Sequence, residues 1–598
     1  MKSGLNHILL LFVLLIFTVE PVSSQRTIPL GDSTLLYRKI EDYSHRNKFM
    51  RFAYGLIFKS YTVTPKKKKI IRETFERFQG KIIRQINIET LDPFGNSITR
   101  TTPSNLNTFS KVGDALHFRT QNVTISNLLL IHSKQRFDSL LVKESERLIR
   151  NRSYIRDVSF SVKAVSTLSD SVDVSIRVLD NWSLLPTIQV SPSSYTLDLT
   201  DQNFLGMGHT FLYGMSRDIP KGVNTFRTNY LIPNIWNTYV SAAMHYETDG
   251  FDNFNKSFII DRPFYSTFTQ WAGGVSLKDT KTTNAPLNFR VAAQDYWVGQ
   301  AQHLNIGNSE ENRLTNFITT TRYLRVRYLD KPTDQADPLH FYSDENFFLA
   351  GIGLSNRKYI QDKFLFKYGI TEDVPIGKVY ALTGGYQTKN GVNRTFLGVR
   401  YSEGNYYSWG YLSSNIEYET FFRGSSAQEG LFCAEVKYFT ELFEVGKWKF
   451  RQFVKPEIMI GIHRFAYDSL TLNSGFGIDG FNSTILSGNS RFLLSLQTQS
   501  YAPWDFIGFR FGPFFTYTLG MLGTPADGFR KSNWYSQFGF GVLIKNENLI
   551  LNTFQFSFSF FPVMPGNGNN ILKMNSFKTT DFGFSNFEVG KPSVRAFQ

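Results

Sequence analysis

The stretch Phe554-Gln555-Phe556-Ser557-Phe558-Ser559-Phe560 constrains the fold more than any other. Four phenylalanines alternate with Gln and Ser. Successive side chains of a strand point to opposite faces, so the four rings share one face. A helix would scatter them around its axis. One face must therefore meet something apolar and the other something polar. A half-buried strand of a soluble sandwich fits, and so does a membrane barrel strand with lipid outside and water inside.

The rest of the chain chooses between the two. Residues 1–24 read as a signal peptide. Lys2 supplies positive charge, Ile8 to Phe17 is an apolar run, and Val22-Ser23-Ser24 offers small residues before Gln25. An uncleaved anchor is the alternative, but the run falls short of the ~20 residues a spanning helix needs. No Cys follows the cleavage position, which argues against a lipoprotein. Beyond Gln25 no stretch approaches ~18 uninterrupted apolar residues, and the mean hydropathy is −0.23. Yet aromatics make up 16% of the chain, with 57 Phe and 29 Tyr, an excess that suits strands and membrane-interface girdles.

Residues 25–79 read as a basic, partly helical periplasmic segment. Such a helix either lies on the inner leaflet of the outer membrane or packs on the next domain. Pro65 to Lys69 is a basic run, a solvated linker or a lipid contact. Residues 80–182 predict a small α+β domain of strand, helix, helix, strand, strand. Ile83 to Leu91 is the first strand, with turn signals at Pro93, Gly95, Pro103 and Gly113 after it. Asn122 caps a short helix through Leu130, and Asp138 caps a second over Ser139 to Arg150. Val158-Phe160-Val162 and Val172-Val174-Ile176-Val178 then alternate as strands. Residues 190–598 predict a transmembrane antiparallel β-barrel, with one strand proposed over Phe364 to Ile370. At ~10 residues per strand plus turns and loops, the length allows about sixteen strands. The fold class is thus mainly β, a barrel preceded by the small α+β domain.

Chemistry is scarce. Gly475-Phe476-Gly477-Ile478-Asp479-Gly480 matches G-x-G-x-x-G, but a dinucleotide site needs a helix to follow, and Leu486 to Ser500 alternates instead. Those glycines suit a tightly folded loop. The one cysteine, Cys433, sits in an alternating strand and reads as structural. The nine histidines, His117 and His132 among them, show no metal-ligand spacing. No catalytic constellation is visible, so the chain reads as a non-enzyme without metal or cofactor. The formal charge of +15 would raise nucleic acid as a partner in a cytosolic protein. Export points it instead at anionic lipid, lipopolysaccharide or acidic client chains.

Domain order and junction together resemble the BamA/TamA superfamily of outer-membrane assembly and translocation barrels, over about residues 80–598. In that family periplasmic POTRA modules of β-α-α-β-β order precede a barrel of roughly sixteen strands. Here Val178 to Trp182 closes the module. Asp201-Gln202-Asn203-Phe204-Leu205-Gly206-Met207-Gly208 resembles the N-F-L-G-x-G opening of first barrel strands, carried by Asn203, Phe204, Gly206 and Gly208. The segment Ile478-Asp479-Gly480-Phe481 matches the family's lumenal V-R-G-F/Y loop motif, with Asp479 in place of the Arg that anchors the loop on acidic partners. An acid there needs another partner, for which Arg491 and Lys545 are candidates. The later strand Phe514 to Gly520 lacks the family's acid. The chain end resembles a closing strand near Phe597, with Pro592 at a strand start or bulge.

The resemblance implies help with insertion or translocation of unfolded outer-membrane or exported clients, with periplasmic or lipoprotein accessories. Clients would add to the edge strand Val158, Phe160, Val162, unless that strand merely completes its sheet. The alternatives are a dedicated two-partner-type secretion pore and a passive channel or surface receptor.

Overall fold

The computed structural model describes residues 75–93, 98, 117–166, 170–284, 287–304, 313–338, 340–465, 468–505, 509–546, 553–566 and 571–597. The chain divides into compact units Met1–Arg51 and Phe52–Gln598, and every described residue belongs to the second. The expected signal peptide, the basic segment up to residue 74 and the turns at Gly95, Pro103 and Gly113 lie outside the described residues.

The N-terminal module opens with the 3-10 turn Phe75–Phe78. It then runs β1 (Ile82–Leu91), α1 (Asn122–Ser126), α2 (Ser139–Arg150), β2 (Ile155–Ala164) and β3 (Ser171–Asp180). The sheet order is β1-β3-β2, with β1 parallel and β2 antiparallel to β3. A parallel pair needs a long crossover, which the two helices supply. Central β3 shows why its sequence alternates: Val172, Val174, Ile176 and Val178 are each 0% exposed. They pack on Ile83, Ile125, Val142, Ile149 and Phe160, each large side chain contributing about 1.5–3 kcal/mol of burial. Asp138 caps α2 by accepting from the Leu140 amide at 2.9 Å. The helix expected from Asn122 to Leu130 is shorter. Its N-cap is Gln121, without a side-chain bond, and the Asn122 side chain instead accepts from Thr90 at 3.2 Å. Leu128 and Leu129 lie beyond the helix and are buried.

The wall begins at β4 (Leu184–Ser191) and ends with the short strand Leu572–Met574, which pairs back to β4. Every neighbouring pair is antiparallel. Among the described residues it is a closed barrel of twenty strands, counting Ser426–Thr440 and its continuation Phe443–Val445 as one, since both pair with Trp448–Ile462. The expected sixteen is too few because many hairpins spend almost nothing on turns. Ser191 pairs with Ser194, Lys389 with Val392 and Arg423 with Ser426. At Asn390-Gly391 both residues take positive φ, 50° and 70°, the geometry that matches hairpin twist. Phe364 to Gly369 is a turn, not a strand; Phe364 and Tyr368 gather on Tyr501, while Phe366 packs on Phe453.

Strand alternation sorts the two faces. Phe348, Ile352, Tyr380, Leu382, Val399, Phe558 and many others point outward and exposed. An apolar surface on that scale belongs against lipid rather than water. The opening stretch follows the rule: Phe556, Phe558 and Phe560 face out, while Ser557 and Ser559 face in, at 0% and 1% exposure. Among the described residues no helix is long and apolar enough to cross a membrane.

The interior is filled differently from expectation. Residues 575–597 form no closing strand. Beyond Met574, among the described residues, the only regular element is the 3-10 turn Thr579–Phe582, and the tail lies along the inner wall. Pro592 has no donor for a ladder, and the chain there is not asked for one.

Candidate functional site

Three features face the barrel interior or its N-terminal end. The first is the junction with the module. The segment Asn203 to Gly208 is the turn after the second wall strand, Ser194–Phe204, and not the start of the first. Asn203 is 0% exposed. Its amide donates to Phe118 O at 3.2 Å and Thr120 Oγ1 at 3.0 Å, and its oxygen accepts from the Gly208 amide at 2.8 Å. The Gly206 carbonyl accepts from the Gln121 amide and Thr124 Oγ1. Gly206 takes φ +72°, and a Cβ there would collide with Arg119 O; only glycine permits both. Phe204 packs within the wall against Phe211, tilted, and edge-on to Tyr230. Nearby, buried Asp180 accepts from the Thr120 amide at 2.7 Å and sits 3.1 Å from His117 Nε2.

Helix α2 (Ser139–Arg150) and Leu128 tie the module to further parts of the wall. Arg150 pairs with Asp373 at 2.8 Å, Arg147 donates to Tyr265 O at 3.2 Å, and Tyr239 Oη donates to Leu128 O at 2.7 Å. In β2, Val158, Phe160 and Val162 are 7%, 8% and 2% exposed and belong to the module core. β2 is an edge, paired with β3 alone among the described strands. Its backbone edge is thus free of strand partners there, while the three side chains named from the sequence are committed inward.

The second feature is the loop between Trp448–Ile462 and Ser490–Tyr501. Ile478 and Phe481 are fully buried and pack with Cys433, Met459, Leu493 and Phe561. Gly480 takes φ +78°, with its Cβ position 2.8 Å from Ser576. The loop is tied by its backbone: Ile478 N donates to Leu472 O, Gly480 N to Ser474 Oγ, and Gln537 Nε2 to Asp479 O at 3.0 Å. No ion pair reaches the Asp479 carboxylate among the described residues. Arg491 pairs with Glu457 at 3.3 Å and Lys545 donates to Tyr368 O at 3.1 Å, so neither is the partner expected from the sequence. Burial, with some help from the Asp581 charge, pushes Asp479 up to about 6; it lies on the loop, not on a wall strand.

The third feature is the seam. Among the described residues Leu572–Met574 joins Phe558–Phe560 by three pairs and β4 by one, Met574↔Val190. Elsewhere Glu345–Lys363 pairs along all its 19 residues with Thr371–Lys389. Behind the seam lies a cavity of about 450 Å³ lined by Val190, Ser194, Asn473, Gly480, Lys573 and Ser576.

Sequence reasoning missed the charged inner wall and the tail it holds. Arg357 pairs with Glu588 at 2.6 Å, Arg595 with Glu417 at 2.8 Å, and Lys591 with Asp295, which Arg322 also holds at 2.8 Å. Signals existed. Arg400 stands between Val399 and Tyr401 inside a strand, and Pro592 is wrong for a wall strand.

These observations define a closed antiparallel β-barrel with an α+β module on one end. No family model matches the sequence, and no curated protein matches it. Several solved structures are similar to the chain. CdiB from Escherichia coli is 11% identical, covers 92% of this chain and 99% of its own, and superposes with a TM-score of 0.38. CdiB from Acinetobacter baumannii is 10% identical, covers 91% and 98%, and scores 0.34. BamA from Haemophilus ducreyi lacking POTRA domains 1–3 is 12% identical, covers 83% and 84%, and scores 0.30. At these identities and scores the likeness assigns neither family nor role to this chain.

Proposed function

We propose that this is an outer-membrane barrel of the BamA/TamA type, with its module in the periplasm as a POTRA domain, assisting insertion or translocation of client polypeptides. The observation that carries the reading is the seam. A wall closed by one residue pair among the described residues opens sideways at little cost, whereas a passive pore gains nothing from a weak closure. The backbone edge of β2, without a second strand partner among the described residues, supports capture of an unfolded client by strand addition. No nucleotide is required, because pairing client strands inside lipid is downhill. The outward apolar band is the lipid contact, and the basic excess suits lipopolysaccharide or acidic clients.

Secretion of one dedicated passenger is the second reading, favoured by the single described module and the polar inner wall. Depletion in cells separates them. Loss of many outer-membrane barrels supports assembly, and loss of one exported protein supports dedicated secretion. Conductance of the purified barrel with neither loss refutes both and leaves a channel.

A further inference from the structure

We propose that the inner wall around Arg322, Arg357, Arg400 and Glu417 is a binding track for an extended polypeptide, and that the C-terminal tail is its resident, displaceable occupant. The proposal deepens the reading of the barrel as a handler of client chains.

The wall reads the tail's main chain repeatedly. Ser355 Oγ donates to Phe587 O at 2.7 Å. Arg400 donates to Asn586 O at 2.7 Å and Glu588 O at 3.3 Å. Arg322 donates to Pro592 O at 2.9 Å, and Glu419 accepts from the Arg595 amide at 2.9 Å. Contacts of this kind hold any extended chain, whatever its side chains. Ion pairs add a preference: an acid on Arg357, a base on Asp295 and a second base on Glu417.

Glycines make room for the tail's large side chains. Phe577 lies over Gly539, with 2.6 Å to the position a Cβ would take, Val589 over Gly353 at 2.8 Å, and Phe597 over Gly461 at 2.5 Å. Phe587 sits over Gly404 still more closely. A larger wall residue at any of these points would close the seat.

Displaceability follows from what the tail does not do. Among the described residues no backbone–backbone hydrogen bond joins 584–597 to the wall. A strand in a ladder would have to break a row of such bonds to leave. This segment is held through side chains alone and is tethered to the wall at its N-terminal side. A chain of the same character, extended and carrying an acid and spaced bases between aromatics, can replace it contact for contact.

The test uses the full chain with Ser585→Cys in detergent micelles, read by the rate of labelling with a water-soluble maleimide. Ser585 belongs to the tail and is buried against the wall, 2.8 Å from Ser413 Oγ, and native Cys433 is fully buried. The competitor is a synthetic peptide of residues 583–598. The tethered tail has an effective concentration of order millimolar, so peptide at several millimolar should raise the labelling rate at least twofold. A peptide with the charges at 588, 591 and 595 reversed should not. Val589→Cys, on the tail itself and only 7% exposed, is a second reporter if the first variant folds poorly. A labelling rate indifferent to the native peptide, or equal responses to both peptides, overturns the track and makes the tail a structural filler. Responsive labelling in a protein whose depletion loses no client overturns the transport reading and leaves the track.

Discussion

Stapling the seam is the sharpest test of how this barrel works. Met574 and Val190 are direct partners, both outward-facing at 40% and 45% exposure. An antiparallel pair exchanges at most two hydrogen bonds. At about 0.5–1.5 kcal/mol net each, separating β4 from Leu572–Met574 costs about 1–3 kcal/mol. The Asn575 side-chain bond to Ile188 O at 3.4 Å adds little. Such a cost leaves the seam open for roughly 15% to roughly 1% of the time. The fully paired ladder of Glu345–Lys363 would cost on the order of 10–30 kcal/mol to open on the same arithmetic. A disulfide between Val190→Cys and Met574→Cys should therefore abolish client handling when oxidised and restore it when reduced. Ile352→Cys with Leu382→Cys, outward partners in the long ladder, should change nothing in either state. The assay is accumulation of newly made outer-membrane and exported proteins in cells carrying the variant as sole copy. Full activity of the oxidised Val190→Cys/Met574→Cys protein would refute the reasoning, since the weak closure would then have no use.

Three further outcomes follow from the geometry. Asn203→Ala should cost about 1–3 kcal/mol by leaving buried partners at Thr120 and Gly208 unsatisfied; faster hydrogen exchange over 118–124, with unchanged heat-modifiable mobility of the barrel, is the expected signature. Asp479 is raised from 3.8 to about 6, so the unfolded loop ionises first as pH rises. The resulting penalty grows from about pH 4, is complete above 6, and amounts to about 1–3 kcal/mol. Loop protection from protease should then be greater at pH 5 than at 7.5, and Asp479→Asn should remove that difference; a mutant less protected than the parent at pH 7.5 would mean that the carboxylate has a stabilising partner after all. A photo-crosslinker at Ser161, on the face of β2 away from the core, should capture clients better than one at Phe160, and equal yields would count against strand addition there.

How much of this was legible can be told from particular residues. The outward rings of Phe556 and Phe558 and the buried run Val172 to Val178 were plain in the sequence, because a period of two allows only one geometry. Strand number was not, because a turn such as Asn390-Gly391 takes no length and a mean spacing averages over it. The tail was misread because strand-like apolar spacing at Phe587, Val589 and Phe597 serves equally to fill seats on a wall. Pro592 was the one local residue that spoke against a strand. The partner of Asp479 was sought among cations, whereas its loop is held by main-chain bonds that no side-chain pattern reveals.

The uneven wall has a consequence for the surrounding bilayer. β4 has 8 residues and Glu345–Lys363 has 19. At ~3.4 Å per residue and a tilt of ~40°, these reach about 20 Å and about 50 Å along the membrane normal. A hydrocarbon core of ~30 Å is overtopped on one flank and undershot on the other. Lipid beside the low flank must thin to meet the protein, so the barrel sits in a lopsided dimple, and shorter acyl chains should collect on that side.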